Sequence, residues 1–194
     1  MDVPIIGLEP AVKPAAKLSK SGIIGVLATQ RTINSERLLG LTERYAKNKK
    51  VLAQACPGLV EQVESCELNN KATQDLLKKY ILPLLDQGTD ALILGCTHYP
   101  FLLPAIQKIT GTKIEILETG KPVAEQLKRI LKQNNLDKKN PHKTNNSDYK
   151  TNISFYNTST NKQHHVTMQK LWQNFLQSTP HNSENKIEIL TLKN

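Results

Sequence analysis

Cysteine, aromatic residues and long apolar runs are all scarce in this chain, and each shortage closes a class of function. The three cysteines, Cys56, Cys66 and Cys96, are an odd number without the dense spacing of a disulfide framework, so reduced thiols are expected. No CxxC or HxxxH pattern supplies metal ligands, and no metal site is expected. No apolar run approaches the roughly 18 residues of a spanning helix, which argues against a membrane partner. The N-terminal stretch MDVPIIGLEPAV has neither a basic start nor a long apolar core, so no secretory signal is read and a cytoplasmic setting is expected. Acidic residues are outnumbered 17 to 26 by lysine and arginine, giving a formal charge of +9. Most of the excess lysine follows residue 120, amid asparagine and serine and without interleaved aromatics. That pattern predicts a solvated basic tail and no nucleic-acid partner. With 194 residues there is room for one domain, or for one domain and part of another.

What is present is an alternation. Strand-like runs occupy residues 23–28 (IIGVLA), 51–55 (VLAQA), 91–94 (ALIL) and 113–117 (KIEIL). Helical patterns separate them. Asn34 or Ser35 can cap the first, which carries Leu38, Leu39, Leu41 and Tyr45. Asn70 or Thr73 can cap the second, with Leu76, Leu77, Tyr80, Ile81, Leu84 and Leu85 on one face and Gly88 as its terminating glycine. Pro83 within that pattern predicts a kink. A third helix opens at Pro100 and runs toward Gly111, and ETGKPVAEQLKRIL forms a fourth. This order predicts an α/β fold: a mainly parallel sheet flanked by helices, with functional residues in the loops after the strands. Thr29, Cys56, Cys96 and Glu118 fall there. Residues 133–150 are nearly devoid of apolar side chains and read as a linker or long surface loop. Beyond them ISFYNTS, HHVTMQKLWQNFL and KIEILTL read as strand, helix and strand, too little to fold without a partner sheet.

Within ALILGCTHYP, an apolar strand leads directly to Cys96, Thr97 and His98. A thiol just past the carboxyl end of a buried strand sits where ligands bind in open α/β sheets. An adjoining helix N-terminus and a nearby imidazole both favour thiolate, making Cys96 and His98 a candidate acid/base pair. Ordinary alternatives exist: Cys96 as a small apolar core residue, His98 as a histidine bonded to a backbone carbonyl. Glu61 and Glu64 share one face of a short helix in CPGLVEQVESCEL, and from the residues alone a solvated face is the favoured reading. His164 and His165 have no acidic or cysteine companions that would make a metal site.

GCTHYP, together with GLEPAVKPA (7–15), GVLATQRTINS (25–35) and ACPGLVE (55–61), resembles the glutamate racemase family in order and spacing. GCTHYP alone would point only to the wider aspartate/glutamate racemase group. The resemblance runs from Val3 to Leu131, and more weakly through FYNTS and the final strand. It implies interconversion of L- and D-glutamate for peptidoglycan synthesis, without pyridoxal phosphate, metal or any other cofactor, by two thiols on opposite faces of the α-carbon. Cys96 corresponds to the second of these. Thr97 and His98 would contact substrate, His98 would also tune the thiol, and Glu64 matches an acidic residue associated with that histidine. The family's aspartate–serine–glycine loop, its tyrosine–glycine motif and the cysteine–asparagine–threonine motif of the first catalytic thiol have no counterparts here. Cys56 matches a structural position, and neither Cys56 nor Cys66 replaces the first thiol.

By the same resemblance, residues 1–117 form a complete α/β domain and residues 118–194 return to a partial second one. The expectation is a family fragment, inactive alone, with a missing N-terminal half or a homo-oligomer completing its cleft. The alternatives carried forward are a non-catalytic carboxylate-binding module and a racemase half acting on another amino acid such as aspartate.

Overall fold

The computed structural model describes residues 3–136, 153–157, 161–178 and 187–191. The chain divides into two compact units, residues 1–63 with 67–137, and residues 64–66 with 138–194.

The first unit is built on four parallel strands, β1 (Ile23–Ala28), β2 (Lys50–Ala55), β3 (Ala91–Leu94) and β4 (Glu115–Leu117), in the order β2-β1-β3-β4. Continuous apolar runs place β1 and β3 in the middle, where both sheet faces are covered. From Ile24 to Ala28 every β1 residue is buried, as is all of β3. The edge strands are wetter: Lys50 and Ala53 of β2 and Glu115 of β4 are exposed. β2 begins one residue before the expected run and β4 two residues after it, at Glu115 rather than Lys113.

Side-chain alternation assigns the two faces. Ile24, Val26, Ala28, Ala91 and Ile93 pack with Ala11, Val12 and Ala15 of the α1 region and Leu38 of α3. Helix α1 (Val12–Leu18) was not anticipated. Its Pro14 stands in the first turn, where a missing N–H costs the helix nothing. A four-residue α2 (Gln30–Ile33) precedes α3 (Glu36–Tyr45), and Ser35 is the α3 cap, its side chain accepting from the Leu38 N–H. On the opposite face α5 (Lys71–Asp86) lies against β1 at Gly25. A β-carbon on Gly25 would stand 2.9 Å from Leu92 Cδ1 and 3.2 Å from Leu84 Cδ1, so any larger residue would require these side chains to give way. Asn70 caps α5, accepting from Thr73 N at 2.8 Å, and Gly88 follows it in the left-handed region at φ 87°. The helix runs through Pro83 without interruption. Pro83 is exposed, as is Lys79 one turn earlier, whose carbonyl loses its helical donor.

Between β2 and α5 lies α4 (Leu59–Glu64). The helix expected from Pro100 is divided into a 3-10 turn (Tyr99–Leu102) and α6 (Leu103–Thr110). The cause is a second proline: inside one continuous helix, the Pro104 ring would collide with the carbonyl of residue 100. α7 (Gly120–Gln133) follows β4.

The second unit contains β5 (Ile153–Asn157), α8 (Lys162–Ser178) and β6 (Ile187–Thr191). Its strands pair in parallel with Ile153 opposite Ile187, so the strands find their partner in each other. Beyond Leu136, the polar stretch 133–150 lies outside the described residues.

Candidate active site

The strand order reverses between β1 and β3, since β1 leads outward to β2 and the chain then crosses to the other side of β1. At such a switch point loops diverge and leave a crevice beyond the carboxyl ends of the strands, where open α/β sheets bind ligands. Thr29 ends β1 here. Its side chain accepts from the Thr32 N–H at 3.3 Å and meets Thr32 Oγ1 at 3.0 Å, so it serves as a helix cap. β3 ends beside it. Gly95 N donates to Leu27 O at 2.8 Å, holding the chain on β1 for one more residue before it turns outward.

That turn carries the thiol–imidazole pair. Cys96 Sγ lies 3.7 Å from His98 Nδ1, and both residues are half-buried while Thr97 is exposed. The contact is compatible with thiol donating to imidazole or with imidazolium donating to thiolate, an arrangement that could pass a proton between the two groups. Tyr99 N donates to Cys96 O and Phe101 N to His98 O, each at 3.2 Å, which leads the turn into the 3-10 segment. Among the described residues the N–H groups of Cys96 and Thr97 donate to no acceptor. Two such amides beside a thiol suit an anion such as a carboxylate.

The other cysteines differ. Cys56 directly follows β2, is buried, and has its thiol 3.3 Å from Gln54 O. Burial, partly offset by the Ala28 backbone and the Tyr99 hydroxyl, pushes its thiol up to about 12, so it remains protonated and unreactive at ordinary pH. Cys66 is half-buried with a left-handed backbone at φ 60°. Glu64 closes α4 as an exposed residue, and Glu118 follows β4 half-buried. Glu61, one turn before Glu64, is the carboxylate whose charge reaches Tyr80 and Tyr99. Among the described residues, no three histidine, cysteine or acidic side chains converge in a way that could hold a metal ion. No described helix is long and apolar enough to cross a membrane.

Two residues escaped the sequence reading. Tyr99 is fully buried, with its hydroxyl 3.5 Å from Cys56 O, and Tyr80 of α5 donates to Pro57 O at 2.8 Å. Burial holds both phenols above their usual range. Tyr80 was recognised only as part of an apolar helix face, and the signal for Tyr99 was its place in GCTHYP beside the titratable residues.

Fold and site define a doubly wound α/β protein with a thiol–imidazole pair at its topological switch point. Residues 1–129 match the Asp/Glu/Hydantoin racemase family model. The chain belongs to that family. A glutamate racemase of Ectopseudomonas mendocina (strain ymp) is 48% identical over 134 residues, covering 69% of this chain and 51% of the relative. The chain thus spans about half the length of the relatives it matches. The crystal structure of a glutamate racemase isoform from Bacillus anthracis aligns with a TM-score of 0.72 at 27% identity, covering all of this chain and 66% of that one. The Escherichia coli glutamate racemase in complex with L-glutamate and an activator aligns at 0.74 with 23% identity, covering all of this chain and 67% of its own, a likeness of fold.

Proposed function

We propose that the protein is the part of a glutamate racemase that holds one of its two catalytic thiols, with Cys96 exchanging the α-proton of glutamate. The observation supporting this reading is the 3.7 Å approach of Cys96 Sγ to His98 Nδ1 at the β1/β3 switch point, in a chain 48% identical to a glutamate racemase. The substrate carboxylate lies against the Cys96 and Thr97 N–H groups, with the Thr97 hydroxyl as a further donor. Cys96 thiolate takes the α-proton, the C–H electron pair stays on the α-carbon and spreads into the carboxylate, and a second thiol returns a proton on the opposite face. His98 holds the proton that Cys96 exchanges, and Glu64 completes the catalytic set. No cofactor takes part.

An amino-acid α-proton is a very weak acid, so the carbanion needs oriented donors and a closed, dry site. Cys56 stays protonated in the core and is no candidate for the second thiol. We assign that thiol to the remaining half of the relatives' length, supplied by a complementary chain, or by assembly with further copies. In this reading residues 1–117 form the Cys96 domain and residues 118–194 contribute to a second, partial domain. The chain alone is inactive, and the completed enzyme supplies D-glutamate to peptidoglycan synthesis in the cytoplasm.

The test is incorporation of solvent deuterium at the α-carbon of L- and D-glutamate, with the chain alone and mixed with a complementary racemase half. Exchange that disappears in Cys96→Ala supports the proposal. If the folded mixture exchanges neither enantiomer, the catalytic reading fails, and glutamate binding without exchange would leave a carboxylate-binding module. Exchange of aspartate in preference to glutamate would move the substrate assignment.

A further inference from the structure

Tyr99 is the largest of the fully buried side chains, and its hydroxyl is the part of it that packing does not explain. A phenylalanine ring would fill the same space, and a buried phenol is retained where its O–H has a partner. Here the partner is the turn after β2: the hydroxyl lies 3.5 Å from Cys56 O. That turn is also held by Tyr80, whose hydroxyl donates to the next carbonyl, Pro57 O, at 2.8 Å. A closed circuit results. Cys56 N donates to Ala28 O at 3.0 Å, Gly95 N to Leu27 O at 2.8 Å, and Tyr99 N to Cys96 O at 3.2 Å. The circuit passes from the end of β1 to the turn after β2, through the Tyr99 side chain to the turn after β3, and back to β1.

We propose that Tyr99 is a positioning residue for the Cys96–His98 pair, its hydroxyl bracing the turn that carries them against the Cys56–Pro57 turn. The proposal deepens the racemase reading by adding a residue that touches no substrate. Groups around the phenol are Cys56, Cys96 and the Glu61 carboxylate, with His98 next in the chain. At 3.5 Å the hydroxyl bond is long, so its loss should alter the orientation of the turn more than the stability of the fold.

The experiment is alkylation of Cys96 by iodoacetamide across a pH series, read by peptide mass mapping, in the parent chain and in Tyr99→Phe. It requires no glutamate, so its result is independent of whether the chain exchanges an α-proton. Phenylalanine keeps the filler role, and thermal unfolding verifies that the variant is folded. Expected is a rise of about half a pH unit in the half-maximal point, or about threefold slower reaction on the rising limb. A profile superimposable on the parent's overturns the proposal. Should Tyr99→Phe not fold, Tyr80→Phe decides, because it removes the other hydroxyl bonded to the same turn: a displaced profile supports the circuit and an unchanged one refutes it.

Discussion

Gly95 is pressed against Leu27: a β-carbon on Gly95 would stand 3.1 Å from the Leu27 carbonyl oxygen and 3.2 Å from the Ala28 β-carbon. Backbone oxygen cannot swing aside as a side chain can, so the turn that presents Cys96 depends on the absence of a methyl group one residue earlier. Gly95→Ala is expected to cost about 1–3 kcal/mol, the range for overpacking a tight site. It should also displace Cys96 from His98. Urea unfolding together with Cys96 alkylation measures both, and a variant matching the parent in each would show that the two strands have room to separate.

At the opposite end of β3, Asp90 joins the chain before β1 to the sheet. Its carboxylate accepts from Ser19 Oγ at 2.6 Å and from the Lys20 and Ser21 N–H groups at 2.7 and 2.6 Å. Desolvation is the largest single influence and acts upward, but the combined hydrogen bonds outweigh it and bring the carboxyl down to about 2. Because the folded value lies below the unfolded one near 3.9, the stabilisation is fully present above about pH 4 and fades as pH falls toward 2. With allowance for partial solvent exposure, about 1–2 kcal/mol is involved. Asp90→Asn should therefore be less stable than the parent at pH 7 and nearly equal to it at pH 2, as measured by denaturant titration at both pH values.

The sheet was legible in the sequence because its central strands are continuous apolar runs, IIGVLA and ALIL, bounded by turn residues. The turn after β3 that brings Cys96 and His98 together was legible because the apolar strand ends at Leu94, two residues before Cys96. Other features were missed, two of them through prolines and one through a long-range contact. α1 was missed because a proline in VKPAAKL hides a helix whose first turn tolerates it. Division of the helix after His98 followed from Pro104, which a count of apolar residues does not register. Tyr99 meets Cys56 from 43 positions away, across β1. Its part could be seen only once the strand order was known.

Thr89 precedes β3 and is buried, and its hydroxyl oxygen has no hydrogen-bond partner. Its Cγ2 would come within 3.1 Å of a β-carbon on Gly25, so the methyl group is the half of the side chain that packs against the sheet. Thr89→Val preserves that shape and removes an unsatisfied buried oxygen. Such a change is expected to leave stability unchanged or raise it by about 1 kcal/mol. Thermal unfolding of the variant decides the matter, since a clear loss of stability would mean the hydroxyl has a partner, such as a buried water.

Cys56 and Cys96 offer a comparison within one molecule, as both follow parallel strands that flank β1. Cys96 is half-buried beside an imidazole. Cys56 is enclosed, and its thiol, pushed up to about 12, stays protonated through the range in which alkylating reagents are used. The thiolate is the reacting species, so iodoacetamide at pH 8 should label Cys96 while Cys56 remains unmodified until the chain unfolds. Peptide mass mapping before and after denaturation reads the order directly. In Cys96→Ala, labelling of Cys56 should remain as slow as in the parent, because its protection comes from burial and not from competition for reagent. Rapid labelling of Cys56 in the folded chain would mean that the turn after β2 opens readily. The hydrogen bonds that tie Cys56 and Pro57 to Ala28, Tyr99 and Tyr80 would then be too weak to hold this end of the sheet.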